Sequence, residues 1–411
     1  MLGLINNILY VILLTAALDL VGPDIPKGTV LLADVIPSVA VKLTAPYYIH
    51  LVPHDVRVWL FAGISTCGML LVSFSSSARD AGGIATKMAG IVLASMSSGG
   101  GELSFLGLTH YYGSTSLAAW GSGTGGAGLV GAGAYALLTT TFGLSVPGTL
   151  FASALLPLVM IFSFFVVLPR GPLHAAKHKS VYRSVHDENE DDIRVASHET
   201  NGLLSQPNER SMSPAYKERS WLQTALRDLS LKLRRAKSLV LPYMLPLFLV
   251  YVAEYTINQG VAPTLLFPLS ETPFKHFRAF YPTYGAIYQL GVFISRSSLP
   301  FIRVRTLYTP SILQILNLIG LTAHAMYPFI PTVWFVFAIV FWEGLLGGLV
   351  YVSTFAAIGE EVPEEDREFS LGATTVSDSA GICLAGFVSI GMEKALCGWQ
   401  VQHGRDWCRQ L

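Results

Sequence analysis

The sequence predicts an all-α membrane protein, with about eleven transmembrane helices in two bundles of six and five around a polar linker. Three observations carry that expectation. Only 13% of the 411 residues are charged while 52% are hydrophobic, and the mean hydropathy is +0.50; soluble domains carry about 25% charged residues. Apolar runs long enough to cross a bilayer recur along the chain. Between the sixth and seventh runs, the composition turns abruptly polar.

The runs fall at about residues 4–22, 29–51, 56–76, 84–108, 117–142 and 147–168, then 239–268, 280–296, 307–326, 332–358 and 369–391. The first has no basic flank, the first cation being Lys27, so it reads as a span rather than a cleaved leader. The second contains Asp34, Pro37 and Lys42, and the fifth opens on many glycines, yet both remain long and apolar. The expected organisation is a bundle over 1–168, a linker over 169–238, a second bundle over 239–393 and a tail over 394–411.

The linker carries an acidic stretch from His186 to Asp192 and few aromatics, so it cannot bury enough apolar surface to fold alone. Its end differs. Near 220–237, Leu222, Leu226, Leu229 and Leu233 recur at helical spacing opposite Arg227, Lys232, Arg234, Arg235 and Lys237. That pattern predicts an amphipathic helix on an anionic bilayer surface. Arg170, Lys177, Lys179 and Arg183 flank the other end. The excess of cations places the linker in the cytosol, and six preceding spans place the N-terminus there too. Arg296, Arg303 and Arg305 fall on the same side.

Several function classes are disfavoured. A net charge of zero gives no reason to expect a nucleic-acid partner. The four cysteines have no metal-ligand spacing, and no nucleophile–base set is legible, so neither an enzyme nor a cofactor or metal is expected. The run GSGTGGAG at 121–128 matches a dinucleotide fingerprint, but no strand precedes it, and close helix packing is the expected role.

An ionisable group at the bilayer centre costs at least about 2.5–3.5 kcal/mol, so each one is a candidate functional residue. Asp19 lies in helix 1, Glu102 in helix 4, Glu254 in helix 7 and Glu343 in helix 10. If the halves are repeats of six helices, these four carboxylates occupy matched positions facing a central cavity. Glu254 shares a helix face with Asn258, beside Gln259, for contact with solute or proton; the alternative is helix-to-helix hydrogen bonding. Lys42 and Arg296 are candidate counter-ions, although Arg296 could instead snorkel to the interface. His110, two turns beyond Glu102, extends a candidate proton relay or marks the interface, and Asp378 in helix 11 is a further ionisable group with helix packing as the alternative.

Six segments make the chain resemble the battenin (Batten-disease protein) family: LGLINN at 2–7, SSGGGELSFL at 97–106, GTGGAG at 123–128, YVAEYTINQG at 251–260, FISRSS at 293–298 and EGLLGG at 343–348. The composition suggests a fungal member. The resemblance implies a major-facilitator-like fold in a lysosomal, late endosomal or vacuolar membrane. It also implies roles in vacuolar pH, basic amino-acid balance and glycerophosphodiester export. A phosphodiester would want a cation such as Lys42 or Arg296; arginine would want Glu102, Glu254 and Glu343. The expected partners are therefore the bilayer, a small polar solute and protons, with a non-transporting scaffold as the alternative function.

Two addressing features remain. Glu199, Leu203 and Leu204 form an acidic dileucine pattern in the linker, of the kind read by sorting adaptors. The chain ends Cys408-Arg-Gln-Leu, in the register of a prenylation signal, though eleven spans would put that cysteine in the lumen.

Overall fold

A computed structural model of the chain describes residues 1–21, 27–75, 81–173 and 230–410. It divides into two compact units, one formed by Met1–Phe165 with Ala236–Leu411 and the other by Val166–Arg235. The dileucine pattern at Glu199, Leu203 and Leu204, and the amphipathic segment before Ser230, lie outside the described residues. In the second unit, residues 171–173 and 230–235 are helical.

The first unit is built of helices. In chain order they are α1 (Leu2–Val21), α2 (Lys27–Thr44), α3 (His54–Phe74), α4 (Ala81–Tyr112), α5 (Ser114–Ala136) and α6, which runs Val146–Ser153 and resumes as Leu156–Phe162. After the linker come α7 (Leu245–Thr256), α8 (Phe280–Ser297), α9 (Tyr308–Met326), α10 (Val333–Glu361) and α11 (Glu364–Gln402). No strand occurs among the described residues. Six helical stretches are long and apolar enough on their own to cross a membrane: His54–Phe74, Ala85–Tyr112, Val146–Val167, Ser230–Thr264, Val333–Glu361 and Glu364–Gln402.

The packing has a regular pattern. In the first half α1 lies on α5 and α4, and α4 packs on α2 and α3; in the second half α7 lies on α11 and α10, and α10 packs on α8 and α9. Adding six to each helix number converts the first set into the second. The contacts between halves obey the same rule, because α2 packs on α11 and α5 on α8. This is the pairing that two repeats of six helices would give, with a space between the halves.

Small residues let the helices approach. The backbones of α8 and α10 cross at Gly291 and Gly344, where an added Cβ at Gly344 would fall well inside contact with the Tyr288 carbonyl oxygen. Backbone cannot swing aside as a side chain can. Gly344→Ala should therefore destabilise the protein by about 1–3 kcal/mol, read as a lowered melting temperature in detergent. A similar substitution at Gly320, whose Cβ would meet nothing within 4 Å, serves as the control. The glycine run of α5 is helical throughout and passes close to α1 and α8, with Gly123 against Leu4 and Gly125 against the stem of Arg296.

At the end of the bundle where α3 begins, Glu368 of α11 joins the halves. It accepts from Arg57 Nη1 at 3.4 Å and from the Tyr111 hydroxyl at 2.6 Å, with His54 Nε2 at 3.6 Å. At the opposite end, Gln400 donates to the carbonyls of Thr264 and Ala325, and Cys397 is bonded to Cys408 in a disulfide. This corrects the prenylation reading, because a sulfur held in a disulfide offers no thiolate for alkylation.

Candidate functional site

A cavity of about 90 Å³ lies between the two halves, lined from α1, α2, α4, α7, α8, α10 and α11. Helical spacing explains its walls. On α2, Asp34, Ser38 and Lys42 recur every fourth residue and so share one face. On α4, Ser95, Ser98 and Glu102 follow at spacings of three and four and also share a face, and on α7, Tyr251 and Tyr255 stack at 5.9 Å.

Lys42 is the centre of one wall. Its Nζ donates to Glu102 Oε2 at 2.6 Å, to Asp378 Oδ1 at 3.1 Å and to Ser379 Oγ at 2.7 Å. The ammonium is only 2% exposed, so its three donors are satisfied by protein from both halves. Glu102 also accepts from the Tyr351 hydroxyl at 2.8 Å, and Tyr351 in turn accepts from Trp120 Nε1 at 3.1 Å. A cation shared by two carboxylates across the interface ties the halves together in this conformation.

Arg296 lines the adjacent wall. It donates to Thr124 Oγ1 at 2.9 Å and to the Tyr251 hydroxyl at 2.8 Å, and its guanidinium lies 4.0 Å from the centroid of the Tyr351 ring. Its Nε is buried without a hydrogen-bond partner among the described residues. Its hydrogen-bond acceptors here are therefore neutral hydroxyls, whereas Lys42 is paired with carboxylates.

The structure brings together Lys42, Glu102 and Arg296 of the sequence candidates, and it separates the others. Glu254 and Glu343 do not line the cavity. Glu254 accepts from the Tyr288 hydroxyl and abuts Gly347 of α10, while Asn258 Nδ2 donates to Glu343 Oε1 at 3.4 Å. The reason is angular: Tyr251 and Tyr255 take the cavity-facing side of α7, so Glu254 projects toward α8 and α10. Gln259 accepts from Tyr281 at 3.2 Å and likewise lies away from the lining. His110 sits near the end of α4 with its ring 5.0 Å from that of Tyr111, outside the cavity wall. Asp19 belongs to α1, but its side chain lies outside the described residues.

Sequence reasoning missed Asp34 and the tyrosines as cavity residues, and it left Asp378 between a functional and a packing role. The signal available for Asp34 and Asp378 was the same as for Glu102, a carboxyl inside an apolar run.

The comparisons with known proteins agree with the resemblance. Residues 1–399 match the family model described as CLN3 protein. The chain belongs to the CLN3 (battenin) family. Curated relatives include Protein btn1 of Aspergillus fumigatus, 62% identical over all of this chain and 89% of its own length. Protein btn-1 of Neurospora crassa is 57% identical with the same coverage, and Protein BTN1 of Yarrowia lipolytica is 49% identical over 99% of this chain and 95% of its own. Among solved structures, the E. coli fucose:proton symporter FucP aligns over the whole chain and 92% of its own length at 12% identity, with a TM-score of 0.48. At that level no residue role transfers. The CLN3-family protein is thus a multi-pass, all-α membrane protein with a polar cavity between two helical halves.

Proposed function

We propose that this CLN3-family protein is a secondary transporter of a small polar solute bearing an anionic group, a glycerophosphodiester in preference to arginine, in the vacuolar or lysosomal membrane. One observation carries the reading. The two cations of the cavity differ, since Lys42 is occupied by Glu102 and Asp378 while Arg296 donates to the hydroxyls of Thr124 and Tyr251 and keeps one donor unused among the described residues. Arginine's planar donors suit a phosphate oxygen pair. Of the cavity carboxyls, Glu102 and Asp378 are already engaged by Lys42.

The mechanism follows from the same contacts. A solute anion drawn to Arg296 competes for the hydroxyls of Tyr251 and Thr124. A proton reaching Glu102 or Asp378 would weaken the hold of Lys42 on the two halves. Breaking that inter-half tie is the step that a carrier needs in order to expose the cavity on the other side.

Uptake by the full-length protein in liposomes, with labelled glycerophosphoglycerol and labelled arginine under an imposed pH gradient, tests this. Saturable uptake of the phosphodiester, at least tenfold faster than that of arginine, is the expected result. Preference for arginine would contradict the substrate class, and uptake of neither would favour a membrane scaffold.

A further inference from the structure

Asp34 has a different environment from the other carboxyls of the cavity. It faces the cavity from α2 and is 3% exposed, yet neither of its carboxyl oxygens has a hydrogen-bond partner among the described residues. Two turns further along the same helix face, Lys42 is committed to Glu102 and Asp378. Eight residues of α-helix span about 12 Å, too far for an ion pair with Asp34. The groups that share its wall include phenols. Tyr10 of α1 and Tyr255 of α7 share the cavity wall, and the Tyr10 hydroxyl is buried there. From α4 the neighbour is Ser95, whose hydroxyl donates to the Asp34 carbonyl rather than to its carboxyl. Lys87 stands two turns nearer the start of α4 and has contacts of its own. From α11 the facing acid is Asp378, and from α8 the facing cation is Arg296, already bonded to Thr124 and Tyr251.

A bare carboxylate in such a place would be an uncompensated buried charge, which is strongly disfavoured away from water. A bound proton removes that charge and adds the one hydrogen-bond donor that Tyr10 or a cavity water can accept.

We propose that Asp34 is a proton-binding site of the cavity, separate from the Lys42–Glu102–Asp378 cluster. The proton reaches it from the open side of the cavity and leaves when the cavity faces the other compartment, with no bond other than O–H formed or broken. In this arrangement the Lys42 cluster holds the halves together and Asp34 carries the proton. The location of the proton stands independently of the transport reading; its use in coupling rests on it.

Two measurements on the full-length protein in liposomes test this. In infrared spectra of protein labelled with ¹³C-carboxyl aspartate, the wild type should show the carbonyl stretch of a protonated carboxylic acid. Asp34→Asn should lack it. Proton entry, followed with a trapped pH dye on addition of glycerophosphoglycerol, should fall at least tenfold in Asp34→Asn. The ratio of gradient-driven to exchange uptake should fall to its value without a gradient. If the amide variant does not fold, Asp34→Ser supplies the same readings with a smaller neutral group. A protonated-acid band absent from the wild type, or persisting in the Asp34 variant, overturns the proposal. Unaltered proton entry in the variant overturns it as well. A wild type that moves neither probe would refute the transport reading, while the infrared band would still decide the state of Asp34.

Discussion

Replacing Lys42 by methionine is expected to cost the folded protein about 3–5 kcal/mol, because it leaves two carboxyls facing each other in a buried site. Glu102 and Asp378 lose their shared cation, and the Ser379 hydroxyl loses its donor. The melting temperature in detergent should fall sharply, together with the amount of protein in the membrane. A charge-free cluster separates this electrostatic cause from simple loss of packing. The triple variant Lys42→Met, Glu102→Gln, Asp378→Asn removes every charge of the cluster, and should recover most of the lost stability without recovering transport. Equal destabilisation of the single and triple variants would contradict the electrostatic account.

Arg296→Lys should leave the fold intact and reduce affinity for an anionic solute at least tenfold, about 1.4 kcal/mol. The substitution keeps the positive charge. It removes the planar fork that reaches Thr124 and Tyr251 together and that stacks on Tyr351. Concentration-dependent uptake of glycerophosphoglycerol by wild type and variant measures the effect. An unchanged half-saturation concentration would remove Arg296 from solute recognition, and an equal loss for a neutral polyol probe would point to a structural role instead.

The helical, membrane-spanning character was legible in the sequence because lipid imposes a length and composition on each span. Residue pairs were less so. Glu102, Lys42 and Arg296 were legible as charges in apolar segments, and they do meet in the cavity. Glu254 and Glu343 carried the same signal and lie elsewhere, since a charge in a span shows that a partner exists without showing on which face. Matching helix 1 with 7 and helix 4 with 10 set the register of the repeats, not the rotation of each helix about its axis. That rotation is fixed by contacts distant in sequence, such as Gly291 and Gly344 at the α8–α10 crossing. Tyr251, Tyr255 and Tyr351 had no signal at all, because an aromatic in a span is equally at home against lipid or against solute. The disulfide between Cys397 and Cys408 was hidden for a similar reason, since a spacing of 11 residues matches no ligand pattern.

The central claim is that the solute occupies the space between the halves. Labelling of a single cysteine there tests it most directly. Ser98 lines the cavity, so Ser98→Cys, with Cys67 and Cys383 replaced by alanine, places one free thiol on its wall and leaves the terminal disulfide in place. The rate of alkylation by a small polar thiol reagent is measured with and without saturating glycerophosphoglycerol. Protection of at least fivefold by the phosphodiester, and none by an equal concentration of arginine, is the predicted result. An alkylation rate indifferent to the phosphodiester, in protein that transports it, would contradict the claim that this cavity is the path.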